Sequence, residues 1–312
     1  MQFEEPQGLT FGAELSGDNV LKPRSRLRKG IGMAHQLGTA LRETQLPRHR
    51  SDPKPPVISN VPTLRDDDIR SAKHFDDGAR TYAAAYDDHT SYGHSFRARR
   101  SKAQALLGKG SLGNLLDVGG ASGVYFDALK SQTTSYHILD ISPLMIDEAQ
   151  KMKSEDVPLH CYLASTYELP FPDEKFDTVL AMGVLEYLDQ PWKALEEMAR
   201  VTKPGGVILV SYPNAHSPMR RMSQWIYKCF RKDTPFGGSL LFSLMEVRSA
   251  TASLKLKETG IKGYNAQLVP FPFTWRLGWF SYCLAEALEP LLGRVGNLWG
   301  SSFTIKSEKL KT

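Results

Sequence analysis

Short apolar runs alternate with helical patterns through the middle of the chain. The runs of strand length are residues 114–118, 135–140, 159–164, 176–183 and 206–212. Between them, the apolar positions of residues 143–153 and 191–202 follow helical spacing. Each helical segment begins on a proline, which suits the first turn of a helix. Continuous apolar strands that alternate with helices predict an α/β fold with a parallel sheet covered on both faces.

Further elements flank this pattern on both sides. Residues 74–108 favour helices before the first strand, and the Lys-Pro-Gly-Gly sequence at 203–206 predicts the break between a helix and the fifth strand. Downstream, the pattern predicts helices over 217–232 and 241–260, the second ending on Gly260, and strands over 261–269 and 301–309. Seven strands are therefore expected.

The segment between the last two predicted strands is rich in large apolar residues. Trp275, Trp279 and Trp299 lie in or near it. One predicted helical face carries Phe280, Cys283, Leu284, Ala287, Leu288 and Leu291. We expect this segment, about 271–299, and a second one at about 215–245 to form helical caps on the domain.

Composition separates the first 65 residues from the rest. Of 312 residues, 39 are Lys or Arg and 34 are Asp or Glu, which gives a net charge of +5. Residues 22–54 hold nine basic residues against two acids, with several prolines and few apolar positions. Such a segment cannot bury enough surface to order itself. We predict a largely disordered basic extension over 1–65, either a solvated tail or an arm for a partner, and a domain over 66–312.

Cysteine usage and hydropathy bear on metal binding and on the cellular compartment. Cys161, Cys229 and Cys283 form no CxxC pair and cannot supply a four-ligand zinc site by their spacing. No uninterrupted apolar run approaches the roughly 18 residues of a membrane span. The first ten residues also lack the basic and then apolar order of a secretory signal. We expect a cytoplasmic protein without a bound metal.

The stretch LLDVGGASGVY, residues 115–125, brings three glycines close together at the end of the first predicted strand. In open parallel sheets, ligands bind at the carboxyl ends of the strands where the strand order reverses. A phosphate-binding P-loop is excluded because no Gly-Lys-Ser/Thr follows. A dinucleotide loop, G-x-G-x-x-G, is weakened because Ala121 and Val124 replace its second and third glycines. It stays open beside a third loop type.

That third type is D-x-G-x-G-x-G, and DVGGASG resembles it with Ala121 at the middle glycine. Later landmarks arrive in the same order, namely Asp140 at the end of the second strand, Leu-Pro-Phe at 169–171 and Lys-Pro-Gly-Gly at 203–206. Residues 70–270 and the last strand resemble class I S-adenosylmethionine-dependent methyltransferases, and among these the small-molecule enzymes that include quinone-pathway methyltransferases. The resemblance implies a Rossmann-like, doubly wound, seven-stranded and mostly parallel sheet, with S-adenosyl-L-methionine as cofactor.

The same resemblance implies where the methionine end of the cofactor lies. The backbone lining it would be that of Gly119, Gly120, Ala121 and Gly123. Asp117, at the end of the first strand, would orient this loop or meet the amino group of the cofactor.

The nucleoside end would follow the second and third strands. Asp140 would bind the ribose hydroxyls, and Ile141 would cover one face of the adenine. At the adenine edge the family has an acid, whereas this chain has Ser165, followed by Thr166, so we expect weaker binding there. Met182, after the fourth strand, would face the cofactor and the acceptor.

Candidate residues for the acceptor come from the loops after the fourth and fifth strands and from the first helices. A base that assists a hydroxyl acceptor should lie in these segments. His216, just past the fifth strand, is the candidate catalytic residue. The candidate substrate-binding residues are Tyr82, Tyr86, Glu186, Tyr187 and Asn214.

These features predict methyl transfer to a small lipophilic or aromatic acceptor, preferably at oxygen, because the aromatic insertion would roof the pocket. The insertion could instead rest on a membrane surface or form a homodimer contact. A binding or scaffold subunit without catalysis stays open because Ala121 and Ser165 depart from the family pattern. A nucleic-acid methyltransferase that uses residues 22–54 as an arm is disfavoured, because GVLEY replaces the Asn/Asp-Pro-Pro-Tyr/Phe motif after the fourth strand.

Overall fold

The computed structural model describes residues 64–152, 154–229, 239–265, 278–289 and 300–311. The basic segment 22–54 and almost all of the predicted extension 1–65 lie outside the described residues, as do Trp275, Trp299 and Leu291. The helices are Asp66–Tyr82 (α1), Ser91–Leu107 (α2), Phe126–Leu129 (α3), Pro143–Ala149 (α4), Pro191–Val201 (α5), Pro218–Cys229 (α6), Leu244–Ser253 (α7) and Gly278–Leu288 (α8).

Seven strands form one sheet. They are Gly113–Val118 (β1), Thr133–Asp140 (β2), Leu159–Leu163 (β3), Phe176–Ala181 (β4), Thr202–Pro213 (β5), Leu256–Tyr264 (β6) and Ser302–Lys309 (β7). The order across the sheet is β3-β2-β1-β4-β5-β7-β6. The strands β1 to β5 pair in parallel, and β7 runs antiparallel to both β5 and β6. The α/β fold expected from the apolar pattern is confirmed, as is the doubly wound, seven-stranded and mostly parallel sheet that the resemblance implies.

Two apolar layers enclose the sheet. Successive side chains of a strand point to opposite faces. Along β1, Leu116 belongs to the cluster that contains Leu195 of α5, whereas Leu115 belongs to the cluster that contains Phe126 of α3 and Ile146 of α4. Side chains cover both faces of β1 in this way. A ligand therefore approaches the central strands at the ends of the strands, not across a face of the sheet.

The strand order reverses beside β1. The chain moves from β1 outward to β2 and β3, and then returns to place β4 and β5 on the other side of β1. The loops after β1 and β4 therefore leave the sheet on opposite faces and open a crevice at the carboxyl ends of these strands. The glycine stretch of residues 119–123 lies in this crevice.

Two predicted boundaries were wrong. The helix expected over 241–260 is only Leu244–Ser253, and β6 begins at Leu256, so that Gly260 lies within a strand. The register of β6 against β7 shifts next to Gly260. The break expected at 203–206 also lies inside a strand, because α5 ends at Val201 and β5 begins at Thr202. Residues 203–206 instead form the irregular segment where β5 shifts register against β4.

Helix α8 lies within the predicted second cap, and on its predicted apolar face Cys283 and Leu284 are partly buried. Phe280 and Ala287 are exposed, whereas Ala285 is buried. The contacts of α8 with α2 include ion pairs, such as Arg97 Nη2 to Glu286 Oε1 at 3.0 Å. Charged side chains thus help to dock this helix on α2 and leave part of its apolar surface at the outside.

Candidate functional site

The loop after β1 has a conformation that requires bare backbone. Gly119 and Gly123 have φ angles of 64° and 81°, in the left-handed region that favours glycine. The amides of Gly119 and Gly120 donate to the Leu139 carbonyl at 2.7 and 3.2 Å. A Cβ atom on Gly120 would lie 2.9 Å from Asp117 Cγ. The loop is therefore held against the ends of β1 and β2 as a cradle that a side chain would fill.

Ala121 takes the place of a glycine in this cradle. Its φ is 48°, so an alanine adopts here the left-handed backbone that glycine adopts freely, at a cost of about 1–2 kcal/mol. Its side chain is buried in a small cluster with Ala79 of α1 and Met145 of α4. The departure from the family pattern is thus accommodated by packing against α1.

Asp140 ties the end of β2 to the glycine loop. The side chain is buried, Oδ2 accepts from the Ala121 amide at 2.9 Å, and Oδ1 accepts from the Ser142 amide at 2.9 Å. A carboxylate has about four acceptor positions, so the two amides leave acceptor capacity for a vicinal diol. Burial raises the pKa of Asp140 to about 6, although the backbone amides of Ser142, Ala121 and Ile141 lower it.

Asp117 lies beneath the same loop. It is almost completely buried, and its Oδ2 accepts from the Tyr136 hydroxyl at 2.8 Å. Burial raises the pKa of Asp117 to about 7; the Tyr136 hydroxyl lowers it, the charge of Asp140 raises it, and the charge of Arg99 lowers it. Asp117 is thus a second carboxyl at the glycine loop, where it would contact a cationic amino group bound to that loop.

Arg99 of α2 is a candidate residue that sequence reasoning missed. Its Nη2 donates to the hydroxyls of Tyr86 at 3.0 Å and Tyr82 at 3.3 Å. Within the described part of the chain, its buried Nε and the buried Tyr125 hydroxyl have no hydrogen-bond partner. In the sequence, Arg99 stands in the basic run RARRSK, which looks like a solvated helix face. The fold turns it inward, beside Tyr82 and Tyr86, two of the predicted substrate-binding residues.

The end of β4 borders this arginine. Gly183 has a φ of 82°, and a Cβ atom there would overlap Arg99 Nη1. The Gly183 amide donates to Ser211 Oγ at 2.8 Å. The preceding Met182 is buried in the apolar cluster that contains Leu180. The guanidinium therefore lies against bare backbone at the carboxyl end of β4.

Glu186 follows in the same loop. Its Oε2 atom is buried and has no hydrogen-bond partner among the described residues. Burial raises the pKa of Glu186, and the charges of Arg99 and Arg220 lower it. Glu186 is thus a carboxyl with spare acceptor capacity on the same side of the sheet as Arg99.

The remaining acceptor candidates lie further out. His216 is exposed, and its backbone amide donates to Asn214 Oδ1 at 2.9 Å. The Asn214 amide nitrogen donates to the Gly300 carbonyl at 3.0 Å. Tyr187 is 40% exposed, and its ring packs edge-on against Phe75 with centroids 5.1 Å apart. The structure brings Tyr82, Tyr86 and Glu186 to Arg99, whereas Asn214 is engaged in holding its own loop.

Helix α1 packs against the predicted adenine edge. Ser165 is buried, and its hydroxyl donates to Asp68 Oδ1 at 3.0 Å. Thr166 is also buried, and its hydroxyl has no partner in the described ranges. Ile141, next to Asp140, is partly buried. The site therefore includes α1 as well as the strand ends.

The donors and acceptors at the strand ends fit S-adenosylmethionine. Asp140 can accept from the ribose hydroxyls, the cradle around Gly120 admits the methionine backbone, and Asp117 and Arg99 complement an amino acid's two charges. Among the described residues, no group of three or more His, Cys, Asp or Glu side chains is arranged to hold a metal ion. No described helix is long and apolar enough to cross a membrane.

Comparison with known proteins agrees with this fit. Residues 116–210 match the sequence family described as a methyltransferase domain. An uncharacterized methyltransferase of Mycolicibacterium vanbaalenii is 32% identical over 134 residues, which are 43% of this chain and 50% of the relative. One of Mycobacterium leprae is 30% identical over 169 residues, 53% of this chain and 56% of the relative. The chain thus spans about half the length of the curated relatives it matches.

Solved structures share the fold at low sequence identity. A magnesium protoporphyrin IX methyltransferase from Synechocystis, solved with bound S-adenosylhomocysteine, superposes with a TM-score of 0.55 at 12% identity, covering 78% of this chain and all of the other. A S-adenosylmethionine-dependent methyltransferase from Thermotoga maritima gives 0.50 at 17% identity, covering 75% and 98%. Residues 116–210 therefore carry a methyltransferase domain, and the likenesses to solved structures show the fold that such domains adopt.

The two buried carboxyls predict a pH dependence of cofactor binding. We expect the affinity for S-adenosylhomocysteine to fall as the pH is lowered from about 8 to 5, by about tenfold per pH unit for each group that must be ionised. The raised pKa values, about 7 for Asp117 and about 6 for Asp140, place the loss in this window. Since both values are raised by folding, the free domain should lose stability as the pH rises from about 4 to 7.

Calorimetric titrations across this range measure the effect. The Asp140→Asn variant should keep only the step of Asp117, and this step should move below pH 7 because the charge of Asp140 no longer raises the pKa of Asp117. An affinity that stays constant from pH 5 to 8 would contradict the roles of both carboxyls.

Proposed function

We propose that this protein transfers the methyl group of S-adenosylmethionine to the oxygen of a small lipophilic or aromatic acceptor by in-line displacement. The single observation that carries the proposal is the buried Asp140, which links the end of β2 to the glycine cradle and keeps acceptor capacity for a diol. A crevice at the strand reversal supports the same assignment.

The cofactor, when bound, supplies an electrophilic methyl group on a sulfonium ion. The task of the chain is then placement and exclusion of water. Asp140 holds the ribose, and the backbone of the glycine loop lines the methionine. Arg99 complements the carboxylate of the methionine, and Asp117 complements its amino group. The rings of Tyr82, Tyr86 and Tyr125 surround the guanidinium and keep this end of the site dry.

A hydroxyl acceptor needs a group that takes its proton. Glu186 fits this role better than His216, since its Oε2 is buried beside the crevice and has no partner within the described residues, whereas His216 is exposed. As the acceptor oxygen attacks, the O–CH3 bond forms and the C–S bond breaks. The hydroxyl proton passes to Glu186, and a bound S-adenosylmethionine would supply the methyl group with a neutral thioether as the leaving group. The burial that raises the pKa of Glu186 makes it a stronger base.

Replacement of Glu186 by Gln is expected to lower kcat by about 10²–10⁴-fold, the usual contribution of a general base. The affinity for S-adenosylhomocysteine should change little, because the amide keeps the shape of the side chain. His216→Ala serves as the matched control and should retain turnover. The readout is transfer of labelled methyl into the acceptor. Loss of turnover in His216→Ala with Glu186→Gln still active would reverse the assignment.

An apolar acceptor is supported by the outer surface of the caps. Trp225 of α6 is 66% exposed, and Trp279 and Phe280 of α8 are 76% and 56% exposed. Where exposed aromatic side chains of this size form one contiguous patch, the patch favours contact with a lipophilic molecule or a membrane surface. We propose likewise that the protein is cytoplasmic and that this surface contacts a membrane or forms a homodimer.

The first test is binding of the cofactor itself. Calorimetry with S-adenosylmethionine and S-adenosylhomocysteine should show saturable binding at one site. Labelled methyl transfer into fractionated cell extract then identifies the acceptor. If neither nucleoside binds, the alternative of a scaffold subunit without catalysis is favoured.

A further inference from the structure

The loop after β3 lacks the carboxyl that the adenine edge calls for. In the sheet, β3 neighbours β2, and the Ala164 amide donates to the Asp140 carbonyl at 3.1 Å. A nucleoside whose ribose lies at Asp140 and whose sulfur end lies at β1 must therefore extend its base toward residues 164–166. The residue at this edge is Ser165, whose hydroxyl is already used as a donor.

A carboxylate from a distant part of the chain lies at this edge. Asp68, in the first turn of α1, is only 3% exposed. Its Oδ1 accepts from the Ser165 hydroxyl at 3.0 Å, across 97 positions of sequence. The hydroxyl of the adjacent Thr166 is buried without a partner in the described part of the chain. A buried carboxylate and a spare hydroxyl thus meet where the base would end.

Helix capping explains only half of the Asp68 side chain. Its Oδ2 accepts from the Arg65 amide at 3.2 Å and closes the N-terminus of α1. An exposed aspartate would do this equally well, because capping needs no burial. Burial of a carboxylate is costly unless hydrogen bonds compensate it, and here burial raises the pKa of Asp68. The Ser165 hydroxyl compensates Oδ1 with one hydrogen bond and leaves this oxygen a second acceptor position.

We propose that Asp68 supplies, from α1, the carboxylate that recognises the 6-amino group of the adenine. This inference rests on the proposed function and adds a specificity-determining residue to its cofactor site. A carboxylate accepts hydrogen bonds, and an exocyclic amino group donates them. A 6-oxopurine would instead present an acceptor to Asp68, so the site selects adenine over hypoxanthine. Ser165 acts as a positioning residue that holds the carboxylate.

The contacts of α1 support its inclusion in the cofactor site. Asp67 accepts from the Asp189 amide at 2.9 Å and from the Tyr167 hydroxyl. Further along the helix, Asp76 Oδ1 accepts from the Ser142 hydroxyl at 2.5 Å, next to Asp140. The helix is thus bonded near its N-terminus and near its middle to the loops that follow β2, β3 and β4. These contacts hold Asp68 beside the carboxyl ends of the strands.

The test compares two ligands that differ at one position of the purine. S-adenosylhomocysteine carries the 6-amino group, and S-inosylhomocysteine carries a 6-oxo group. The unaltered protein should bind the first at least about tenfold more tightly. In Asp68→Asn this preference should shrink to about threefold or less, because an amide can face either group. Asp66→Asn, an exposed acid in the same helical turn, should keep the full preference.

The outcomes separate this inference from the proposed function. Equal binding of the two ligands by the unaltered protein would overturn it without any variant, so an unstable Asp68→Asn does not weaken the test. An unchanged preference in a folded Asp68→Asn would also overturn it, leaving the methyltransferase proposal intact. Failure of the unaltered protein to bind S-adenosylhomocysteine would overturn both.

Discussion

Replacement of Asp140 by Ala is expected to lower the affinity for S-adenosylhomocysteine about 100-fold. Hydrogen bonds to a charged group contribute about 1.5–3 kcal/mol each, and 1.4 kcal/mol corresponds to a factor of ten. The variant loses the proposed bonds to the ribose hydroxyls and also leaves the Ala121 and Ser142 amides without their acceptor. The glycine loop would then be less well held for the methionine end. Calorimetry measures the affinity directly.

Asp127→Ala is a suitable control for this variant. Asp127 is a 68% exposed acid on α3 that pairs with Lys130, so its removal changes the net charge equally but leaves the crevice untouched. Its affinity for S-adenosylhomocysteine should match that of the unaltered protein. If Asp140→Ala binds as tightly as this control, the assignment of the ribose site is wrong.

Gly183→Ala is expected to weaken both folding and cofactor binding. An alanine at a φ of 82° is strained, and its methyl group would also overlap Arg99 Nη1. The guanidinium is bonded to Tyr82 and Tyr86, so it must give up these contacts to make room. If Arg99 complements the carboxylate of the cofactor, its displacement should lower the affinity about tenfold or more.

Gly108→Ala isolates the strain from the clash. Gly108 has a φ of 79°, and a Cβ atom there would have no other heavy atom within 4 Å. With a ψ of −158°, Gly108 lies in a backbone region that is essentially restricted to glycine, so this control should lower the free energy of unfolding by about 1–3 kcal/mol and leave cofactor affinity unchanged. Denaturant unfolding and calorimetry on both variants give the comparison. If Gly183→Ala and Gly108→Ala behave alike in both measurements, Arg99 has no part in cofactor binding.

The order of elements and the location of the crevice could be predicted from the sequence. Apolar runs and helical spacing are local patterns, and they predicted each of the seven strands to within a few residues or, for β6, by overlap. Asp140 could be singled out because it ends an apolar strand, and the cradle because three glycines follow β1. The boundaries at 241–260 and 203–206 failed, since pairing of β6 with β7 and the shifted register of β5 are long-range interactions that override local propensity.

What the tertiary structure alone decided is which distant side chains face the crevice. Asp68 and Arg99 stand in charged helices whose sequence pattern is that of solvated surfaces. Both helices precede β1, and only their packing over the strand ends turns these charges inward. His216 shows the converse, because proximity to β5 in sequence did not bury it. The sequence by itself determined the class of fold and the glycine cradle, which depend on local periodicity and backbone freedom. The charges around the cradle depended on contacts across tens of residues, which no local pattern records.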